Sequence, residues 1–262
     1  MNILDTIIDH KKVEVENRKQ KTSIAELKNG PCFKNETLSF KSFLKDPALT
    51  GIVAEFKRQS PSKGIINNTA TVEGVTSAYK AYGASAISVL TDHQFFGGSI
   101  NDLLEATINE VPLLRKDFII DDYQLYEAKA YGADIILLIA ACLSRKEVKH
   151  LADVASDLGM EVLLEITEKK DLDHICNDVD VVGVNNRDLK TFTVNIQRSL
   201  ELATFIPSDK LKISESGIHN IETIALLKQN GYNGFLIGEM FMKENDPALA
   251  FKNFCYLLKQ QK

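Results

Sequence analysis

The fold of this chain is decided by a stretch that reads Lys80-Ala-Tyr-Gly-Ala-Ser-Ala-Ile-Ser-Val-Leu90. Its first half is typical of a helix end, with a glycine where the helix stops, and its second half is a short apolar run. Nearly the same pattern returns as Lys129-Ala-Tyr-Gly-Ala-Asp-Ile-Ile-Leu-Leu-Ile139. A helix terminus followed by a buried strand, found twice, indicates a repeated helix–strand unit.

Outward from this stretch, the chain after residue 50 alternates short apolar runs with amphipathic segments. The runs are rich in Ile, Val and Leu and are continuous, which is typical of strands covered on both faces. There are eight of them: Gly51–Phe56, Ala86–Leu90, Val111–Leu114, Ile135–Ile139, Val162–Ile166, Val181–Val184, Leu211–Ile213 and Phe235–Ile237. Eight strands separated by helices predict a parallel sheet, and at this length closure into a (β/α)8 TIM barrel is favoured.

An open, doubly wound sheet is the alternative arrangement of the same elements. It normally shows a glycine-rich dinucleotide-binding turn after its first strand. The corresponding segment here, Glu55-Phe-Lys-Arg-Gln59, is nothing like such a turn. The barrel is therefore the preferred interpretation.

Helix ends are marked in the sequence. Ser144-Arg-Lys-Glu147 predicts a capping box, Asp121 and Ser99 are candidate N-caps, and Pro247 fits the first turn of a last helix. Glycines stand where helices are expected to stop: Gly83, Gly132, Gly159 and Gly231.

Residues 1–50 precede the first expected strand. Ile3, Leu4, Ile7 and Ile8 fall on one face of a helix, and the stretch 39–44 predicts a second, short helix. The segment is too short to build a core alone. We therefore expect a single domain over 1–262, in which 1–50 form an N-terminal helical extension and 51–262 form the barrel.

Composition excludes several classes of function. The formal net charge of −5 argues against a general nucleic-acid surface, and no run of about 18 apolar residues predicts a membrane span. The four cysteines are scattered and the five histidines isolated, so neither a disulfide framework nor a metal site is expected. We expect a cytoplasmic protein with reduced thiols.

Polar and charged residues follow the apolar runs abruptly. Active sites of TIM barrels lie at the carboxyl ends of the strands. The candidate site residues are those at or just after these ends: Glu55, Lys57, Ser60, Lys116, Glu165, Asn185, Arg187, Glu215, Ser216, Gly217, Gly238 and Glu239. For any one of them a solvated loop is the ordinary alternative, but their convergence on one rim favours a site.

Glu165 differs from the others because it lies inside an apolar strand. Glutamate is rarely buried without a partner. It is either a catalytic carboxylate or one half of a structural ion pair with a barrel lysine. Lys57 and Lys116 are the candidate partners under both interpretations.

A second signal follows the last two strands. Ser216-Gly217 and Gly238-Glu239 lie where many TIM barrels bind a phosphate, using main-chain N–H groups and a short helix N-terminus. Ordinary turns also contain glycine, so the location of these residues carries the prediction of a phosphate site.

At these residues the chain resembles a known family over essentially its whole length. Seven segments, in the family's order, resemble motifs of the indole-3-glycerol phosphate synthases: Ile52-Val-Ala-Glu-Phe-Lys-Arg-Gln-Ser-Pro-Ser-Lys-Gly64, Leu90-Thr-Asp-His-Gln-Phe-Phe-Gly-Gly-Ser99, Leu114-Arg-Lys-Asp-Phe118, Val162-Leu-Leu-Glu165, Gly183-Val-Asn-Asn-Arg-Asp-Leu189, Ser214-Glu-Ser-Gly-Ile218 and Phe235-Leu-Ile-Gly-Glu239.

The resemblance implies an enzyme of tryptophan biosynthesis that takes a small phosphorylated substrate and uses no metal or organic cofactor. It implies that Lys116 is the general acid and Glu165 the general base. Lys57 is expected to bind substrate and share proton transfer, while Glu55 and Asn185 orient groups around it.

The resemblance also implies a binding half of the site. Glu215 belongs to the pocket motif, and Arg187 is expected near the anthranilate carboxylate. The phosphate positions are Ser60, Ser216, Gly217, Gly238 and Glu239. Two residues depart from the common pattern, since Glu239 stands where many relatives carry Ser and Gln59 replaces a common basic residue.

Two alternatives stay open. The first is another phosphate-binding barrel, such as a phosphoribosylanthranilate isomerase or a thiazole synthase. The isomerase predicts a Cys and Asp pair at strand ends, and no cysteine lies near Glu55 and Lys57 at the end of the first strand. A catalytically silent barrel acting as regulator or scaffold predicts loss of Lys116 or Glu165, and both are present.

Overall fold

The computed structural model describes residues 3–188 and 191–260. Leu189, the last residue of the motif that begins at Gly183, lies outside them. Eight strands form the barrel: β1 (Ile52–Phe56), β2 (Ala86–Leu90), β3 (Leu113–Lys116), β4 (Ile135–Ile139), β5 (Glu161–Ile166), β6 (Val181–Asn185), β7 (Leu211–Glu215) and β8 (Gly234–Ile237).

The sheet is closed and every barrel pairing is parallel. Each strand pairs with its neighbours in sequence, and β1 closes the ring by pairing with β8 as well as β2. The expected (β/α)8 barrel is confirmed, and the open sheet is not the fold. A two-residue hairpin follows β1, where Gln59–Ser60 pairs antiparallel with Gly64–Ile65.

Helices precede, surround and follow the strands. In chain order they are α1 (Ile3–Lys21), α2 (Ile24–Leu27), α3 (Phe40–Lys45), α4 (Val72–Ala81), α5 (His93–Phe96), α6 (Ile100–Ala106), α7 (Asp122–Ala130), α8 (Arg145–Asp157), α9 (Gln197–Leu202), α10 (Ile221–Gln229), α11 (Glu239–Met242) and α12 (Pro247–Lys259). Short 3₁₀ turns lie at Thr107–Asn109 and Lys169–His174.

The helix-end signals in the sequence are confirmed. Ser144 forms a capping box with Glu147, and Asp121 caps α7 through its side chain. In the repeated stretch, Gly83 and Gly132 have φ of +88° and +87°, the left-handed conformation in which glycine costs least. The repeat therefore reflects the same helix-to-strand turn used twice.

Three strands extend further at their carboxyl ends than their apolar runs predict. β3 ends at Lys116 rather than Leu114, β6 at Asn185 rather than Val184, and β7 at Glu215 rather than Ile213. A run of apolar residues marks where a strand is buried, whereas the backbone continues its pairing for as long as the neighbouring strand does. These three ends carry Lys116, Asn185 and Glu215 of the candidate site.

The extension closes the amino-terminal end of the barrel. Phe40 and Leu44 of α3 are buried in the cluster that fills the barrel interior, together with residues such as Val53, Leu114 and Leu163. A larger cluster lies between the strands and the outer helices. Within the described residues, no helix is long and apolar enough to cross a membrane.

Candidate active site

The charged residues of the site form the top layer of the barrel interior. In a strand, side chains two residues apart point to the same face. Val53, Leu114, Leu163 and Ile213 belong to the interior cluster. Two residues after each of them come the site residues Glu55, Lys116, Glu165 and Glu215. The site is thus the last layer of the inward-facing side chains that fill the barrel.

Lys116 is the centre of the constellation. Its Nζ lies 3.0 Å from Oε2 of Glu215 and 3.3 Å from Oε2 of Glu165. Both carboxylates are almost completely buried, at 1% and 3% exposure. An ammonium group held between two buried carboxylates is fixed in position and keeps its charge.

A second lysine lies nearby at the end of β1. Lys57 Nζ donates a hydrogen bond of 2.6 Å to Oε1 of Glu55, which is itself buried. In all, two lysines face three glutamates, so the cluster carries an excess of negative charge when every group is ionised. Such a cluster favours holding one additional proton.

Asn185, the last residue of β6, contacts Glu165, the candidate general base on β5. Its Nδ2 donates to Oε1 of Glu165 at 3.0 Å, and the strand register places Asn185 beside Glu215. Its Oδ1 accepts from the main-chain N–H of Arg187 at 2.9 Å. One amide therefore orients Glu165 and the start of the loop that follows β6.

The charges shift one another's pKa values. Burial lowers the pKa of Lys116, but the charges of Glu215, Glu165 and Glu55 raise it by more, so it stays above its ordinary value. Burial raises the pKa of Glu55, but Lys57 and Lys116 lower it by more. Lys116 and Glu55 are therefore charged at neutral pH.

Glu215 behaves differently from Glu55. Burial raises the pKa of Glu215 to about 7; Lys116 acts to lower it and Glu165 to raise it. Its Oε1 is buried and has no hydrogen-bond partner among the described residues. This oxygen occupies the space left by a missing side chain, because a Cβ at Gly183 would lie 2.2 Å from it.

The charged layer opens into a cavity with an apolar wall. Interior strand residues form part of that wall, and aromatic residues from the loops add to it. The apolar lining residues are Ile3, Leu4, Ile7, Leu90, Phe96, Phe118, Leu137, Ile139, Phe192 and Leu236. A cavity with charge at its floor and apolar sides fits a ligand that has both a ring and polar groups.

The residues expected to bind phosphate divide into two groups. Ser60 and Ser216 line the cavity, and Ser60 Oγ is buried with no hydrogen-bond partner among the described residues. Gly217 and Gly238 are not among the lining residues. A Cβ at Gly238 would lie 2.7 Å from the side chain of Glu55, so this glycine allows the loop after β8 to pack directly on the site.

Glu239 and Arg187 face each other across the cavity mouth. Arg187 Nη2 lies 3.5 Å from Oε2 of Glu239, and Lys63 Nζ lies 3.8 Å from Oε1 of the same carboxylate. All three side chains are partly exposed. The negative charge of Glu239 is thereby balanced by cations from the loops after β1 and β6.

Two buried polar residues hold the site and were not recognised as site residues in the sequence. Asn186 Nδ2 donates to the carbonyl oxygens of Glu215 and Ser216, which ties β6 to the loop after β7. Lys11, on α1, is completely buried and forms ion pairs with Asp92 and Asp117. Asn186 follows a strand end and could have been found by position, whereas Lys11 resembles its exposed neighbour Lys12 in the sequence.

This arrangement is suited to acid–base chemistry on a bound organic anion. It offers a fixed ammonium group, a buried carboxylate beside it, and a second lysine–carboxylate pair within one water-poor pocket. Among the described residues, no group of three or more His, Cys, Asp or Glu side chains is placed to hold a metal ion.

Comparisons with known proteins agree with the geometry. The family model for indole-3-glycerol phosphate synthase matches residues 4–254. The indole-3-glycerol phosphate synthase of Bacteroides thetaiotaomicron is 46% identical over 256 residues, which are 97% of this chain and 97% of that protein. The protein of the same name from Salinibacter ruber is 43% identical over 254 residues, 95% of this chain and 94% of that protein.

Solved structures share the fold at low sequence identity. 3-Hexulose-6-phosphate synthase from Salmonella typhimurium matches with a TM-score of 0.63 at 12% identity, covering 81% of this chain and 100% of its own. Tryptophan synthase subunit alpha from Legionella pneumophila matches with a TM-score of 0.61 at 13% identity, covering 84% and 97%. At such low identity these two structures support the barrel fold alone.

Proposed function

The chain belongs to the indole-3-glycerol phosphate synthase family, and from this premise we propose which of its residues carry each step of the reaction. The enzyme is a carboxy-lyase of tryptophan biosynthesis. It converts 1-(2-carboxyphenylamino)-1-deoxyribulose 5-phosphate to indole-3-glycerol phosphate, CO₂ and water. The reaction closes a ring, loses a carboxylate and then loses a hydroxyl group.

Ring closure requires a proton at the ketone oxygen while an aromatic carbon attacks the carbonyl carbon. Lys116 supplies that proton and stabilises the charge that develops on the oxygen. The observation that carries this proposal is the position of Lys116 Nζ, 3.3 Å from Glu165 and 3.0 Å from Glu215, on the wall of the cavity. The two carboxylates keep the ammonium group charged and aimed before substrate arrives.

The later steps need a base and a second acid. Loss of CO₂ returns its bonding electrons to the benzene ring and restores the aromaticity of that ring. The hydroxyl group then departs as water with a proton from an acid, and the new five-membered ring loses a proton to a base, which completes the indole. Glu165, oriented by Asn185, is the base that accepts the ring proton. Lys57, held by Glu55, contacts the substrate and shares the transfer of a proton to the departing hydroxyl group.

Substrate binding uses the apolar wall, the loops expected to bind phosphate, and Arg187. The apolar wall, which includes Phe118 and the isoleucines of α1, packs against the aromatic ring. Ser60 Oγ and the loops at Ser216 and Glu239 receive the phosphate, and Ser60 Oγ has no other partner within the described chain. Arg187 attracts the anthranilate carboxylate.

The alternative of a catalytically silent barrel accounts less well for these contacts. A binding protein needs the phosphate loops and the apolar wall but has no use for ammonium groups buried among carboxylates. Desolvating Lys116, Glu165 and Glu215 costs stability, and such a cost is expected where the charges perform chemistry.

Product formation tests the proposed function directly. Purified protein is incubated with the carboxyphenylamino-deoxyribulose phosphate, and indole fluorescence is followed against the same protein inactivated by heat. The expected result is a steady rise that depends on enzyme concentration. Substrate binding without any indole signal would overturn the enzyme in favour of the silent barrel.

The proposed steps draw their positive charge from Lys57 and Lys116 rather than from a metal ion. We therefore expect full turnover after exhaustive treatment with EDTA, measured in the same fluorescence assay. Loss of activity that a divalent cation restores would contradict this part of the proposal.

We further propose that the extension and the barrel form a single domain in a cytoplasmic protein. Phe40 of α3 fills one end of the barrel, and Lys11 of α1 forms ion pairs with Asp92 and Asp117 near the other. The four cysteines are free thiols, as suits a reducing compartment.

A further inference from the structure

Helix α1 is attached to the barrel through a buried lysine. Lys11 is completely buried, and its Nζ lies 2.7 Å from Glu14, 2.8 Å from Asp92 and 2.9 Å from Asp117. At these distances three carboxylates hold one ammonium group through charge-assisted contacts. Burial lowers the pKa of Lys11, but Asp117, Asp92 and Glu14 raise it by more, so the lysine is charged.

The two aspartates lie on neighbouring strand ends. Asp92 follows β2, where its other oxygen caps α5 by accepting from the N–H of Phe95 at 2.8 Å. Asp117 follows β3 directly, and its Oδ1 also accepts from the N–H of Phe118 at 2.8 Å. Lys11 thus links α1 to both strands at the rim where the cavity opens.

Asp117 also belongs to a second buried pair. Arg115 Nη2 lies 3.1 Å from Asp117 and 2.7 Å from Glu127 of α7, and Arg115 is completely buried. Thr91 at the end of β2 joins both residues, donating to Asp117 at 2.6 Å and accepting from Arg115 at 3.2 Å. The main chain at the end of β3 is therefore held from both sides.

The residue between Arg115 and Asp117 is Lys116. Its two neighbours form the buried ion pairs with Lys11 and Glu127, while Lys116 itself reaches Glu165 and Glu215. A long, flexible side chain is aimed only as well as its main chain is fixed. Small displacements of a reacting group can cost about 10²-fold in rate.

We propose that Lys11 is a positioning residue for the reaction: through Asp117 it fixes the main chain that carries Lys116, and through Asp92 it seats α1 against the cavity. The inference rests on the proposed role of Lys116 as the general acid. Ile3, Leu4 and Ile7 of α1 line the cavity, so the same attachment completes its apolar wall.

A purely stabilising role is the competing explanation. Buried ion pairs contribute little net stability compared with apolar packing of the same volume, but they restrict geometry. A stabilising role predicts a lower melting temperature with an unchanged rate per folded molecule. A positioning role predicts a lower rate below the melting temperature.

The test is a double-mutant cycle on Lys11→Met and Asp117→Asn, with Lys12→Met as the matched control. Lys12 is the next residue of α1 and forms an exposed ion pair with Asp9. For each variant, kcat, KM and the melting temperature are measured, with assays well below melting. Lys116→Met is assayed alongside.

Each single variant is expected to lower kcat by about 10–100-fold with a much smaller change in KM. The double variant is expected to be no slower than the slower single variant, because both changes break one chain of contacts. Lys12→Met is expected to match the wild type. If Lys11→Met does not fold, the double variant, which removes one charge of each sign, is expected to show the same loss.

Wild-type kcat in Lys11→Met, or in the double variant if the single does not fold, would overturn the inference. So would multiplicative losses in the double variant, because Lys11 would then not act through Asp117. An inactive Lys116→Met together with a normal Lys11→Met defeats this inference alone. Normal turnover in Lys116→Met defeats the proposed function of Lys116 instead.

Discussion

The two ends of the barrel carry the same kinds of side chain and use them in opposite ways. At the amino-terminal end, Asp134, Glu161 and Asp180 stand at the starts of β4, β5 and β6. Each accepts a main-chain N–H: Asp134 from Leu38 and Leu113, Glu161 from Lys41, and Asp180 from Val162. These carboxylates tie the extension across the barrel.

At the carboxyl-terminal end, the three glutamates on the cavity floor have other side chains as their partners. Glu55, Glu165 and Glu215 face two lysines and an open cavity, and Glu215 retains an oxygen with no partner in the described chain. Main-chain donors cannot move or give up a proton, whereas lysine side chains can do both. A carboxylate held by main-chain donors therefore serves structure, whereas one that faces both a lysine and an open cavity is available for chemistry.

Removal of Lys116 is expected to have the largest effect on activity. Lys116→Met is expected to lower kcat by about 10²–10⁴-fold, because the ammonium group acts where the carbonyl oxygen gains charge in the transition state. KM is expected to change much less. Steady-state kinetics on the folded variant, checked by circular dichroism, measure both. Near-normal kcat would mean that Lys116 is only half of a structural ion pair.

Glu165 and Glu161, at opposite ends of β5, provide a matched pair of variants for testing the difference between the two ends. Glu165→Gln keeps the shape but cannot accept a proton, so kcat is expected to fall by about 10²–10⁴-fold while the fold persists. Glu161→Gln, at the other end of the same strand, loses a charged acceptor for Ser39 and Lys41. We expect it to lose about 1–2 kcal/mol of stability and to keep its kcat.

Thermal unfolding and single-turnover rates on both variants separate the two cases. If Glu165→Gln turned over normally and only melted earlier, the structural ion pair would be the correct interpretation of Glu165. If Glu161→Gln lost kcat in the folded state, the two ends would not be independent.

Asp134 at the closed end should show a pH dependence of stability. Burial raises the pKa of Asp134 to about 6, although hydrogen bonds from Leu113 and Leu38 act to lower it. Because the folded pKa exceeds the ordinary value of 3.8, the contribution to stability is fully present below that value and is lost as pH rises through about 6.

As pH falls from neutral to about 4, the unfolding free energy of the wild type is therefore expected to rise by up to about 3 kcal/mol relative to that of Asp134→Asn. Urea unfolding of both proteins across this range measures the difference. A difference in unfolding free energy that stays constant with pH would show that Asp134 does not titrate with a raised pKa.

Glu215 should give the smallest effect, a change of a few-fold in rate near neutrality. Because burial raises its pKa to about 7, the group passes from neutral to charged as pH rises through that value. The charged form binds Lys116 more tightly and makes its proton harder to transfer, so kcat/KM is expected to fall a few-fold across that range.

Glu215→Gln removes this titration while the substrate stays the same. Its profile of kcat/KM against pH is expected to be flatter than that of the wild type through neutrality. Identical profiles would assign the titration to another group or to the substrate.

The fold was predictable because its signals are local. Eight apolar runs, their spacing, and the capping residues such as Ser144 each depend on a few neighbouring residues. The apolar runs end at Leu114 and Ile213, short of the strand ends at Lys116 and Glu215, because apolarity marks burial and not the extent of strand pairing. Strand alternation would have corrected this, because both residues keep the parity of the interior positions Leu114 and Ile213.

The candidate site residues could also be predicted from the sequence, because a barrel brings all strand ends to one rim. The contacts between these residues could not be predicted. Which lysine faces Glu165, and which carboxylate keeps an unpaired oxygen beside Gly183, depends on the stagger of strands that are distant in sequence.

By itself, the sequence determined an eight-stranded barrel, an amphipathic helix before it and the residues offered at its carboxyl end. Tertiary structure alone decided that Lys11 is buried among three carboxylates while Lys12 beside it stays in solvent. It also decided that Glu215, unlike Glu55, has a raised pKa. The physical reason is that desolvation and charge pairing depend on which atoms surround a group in space, and barrel closure brings those atoms from strands far apart in the chain.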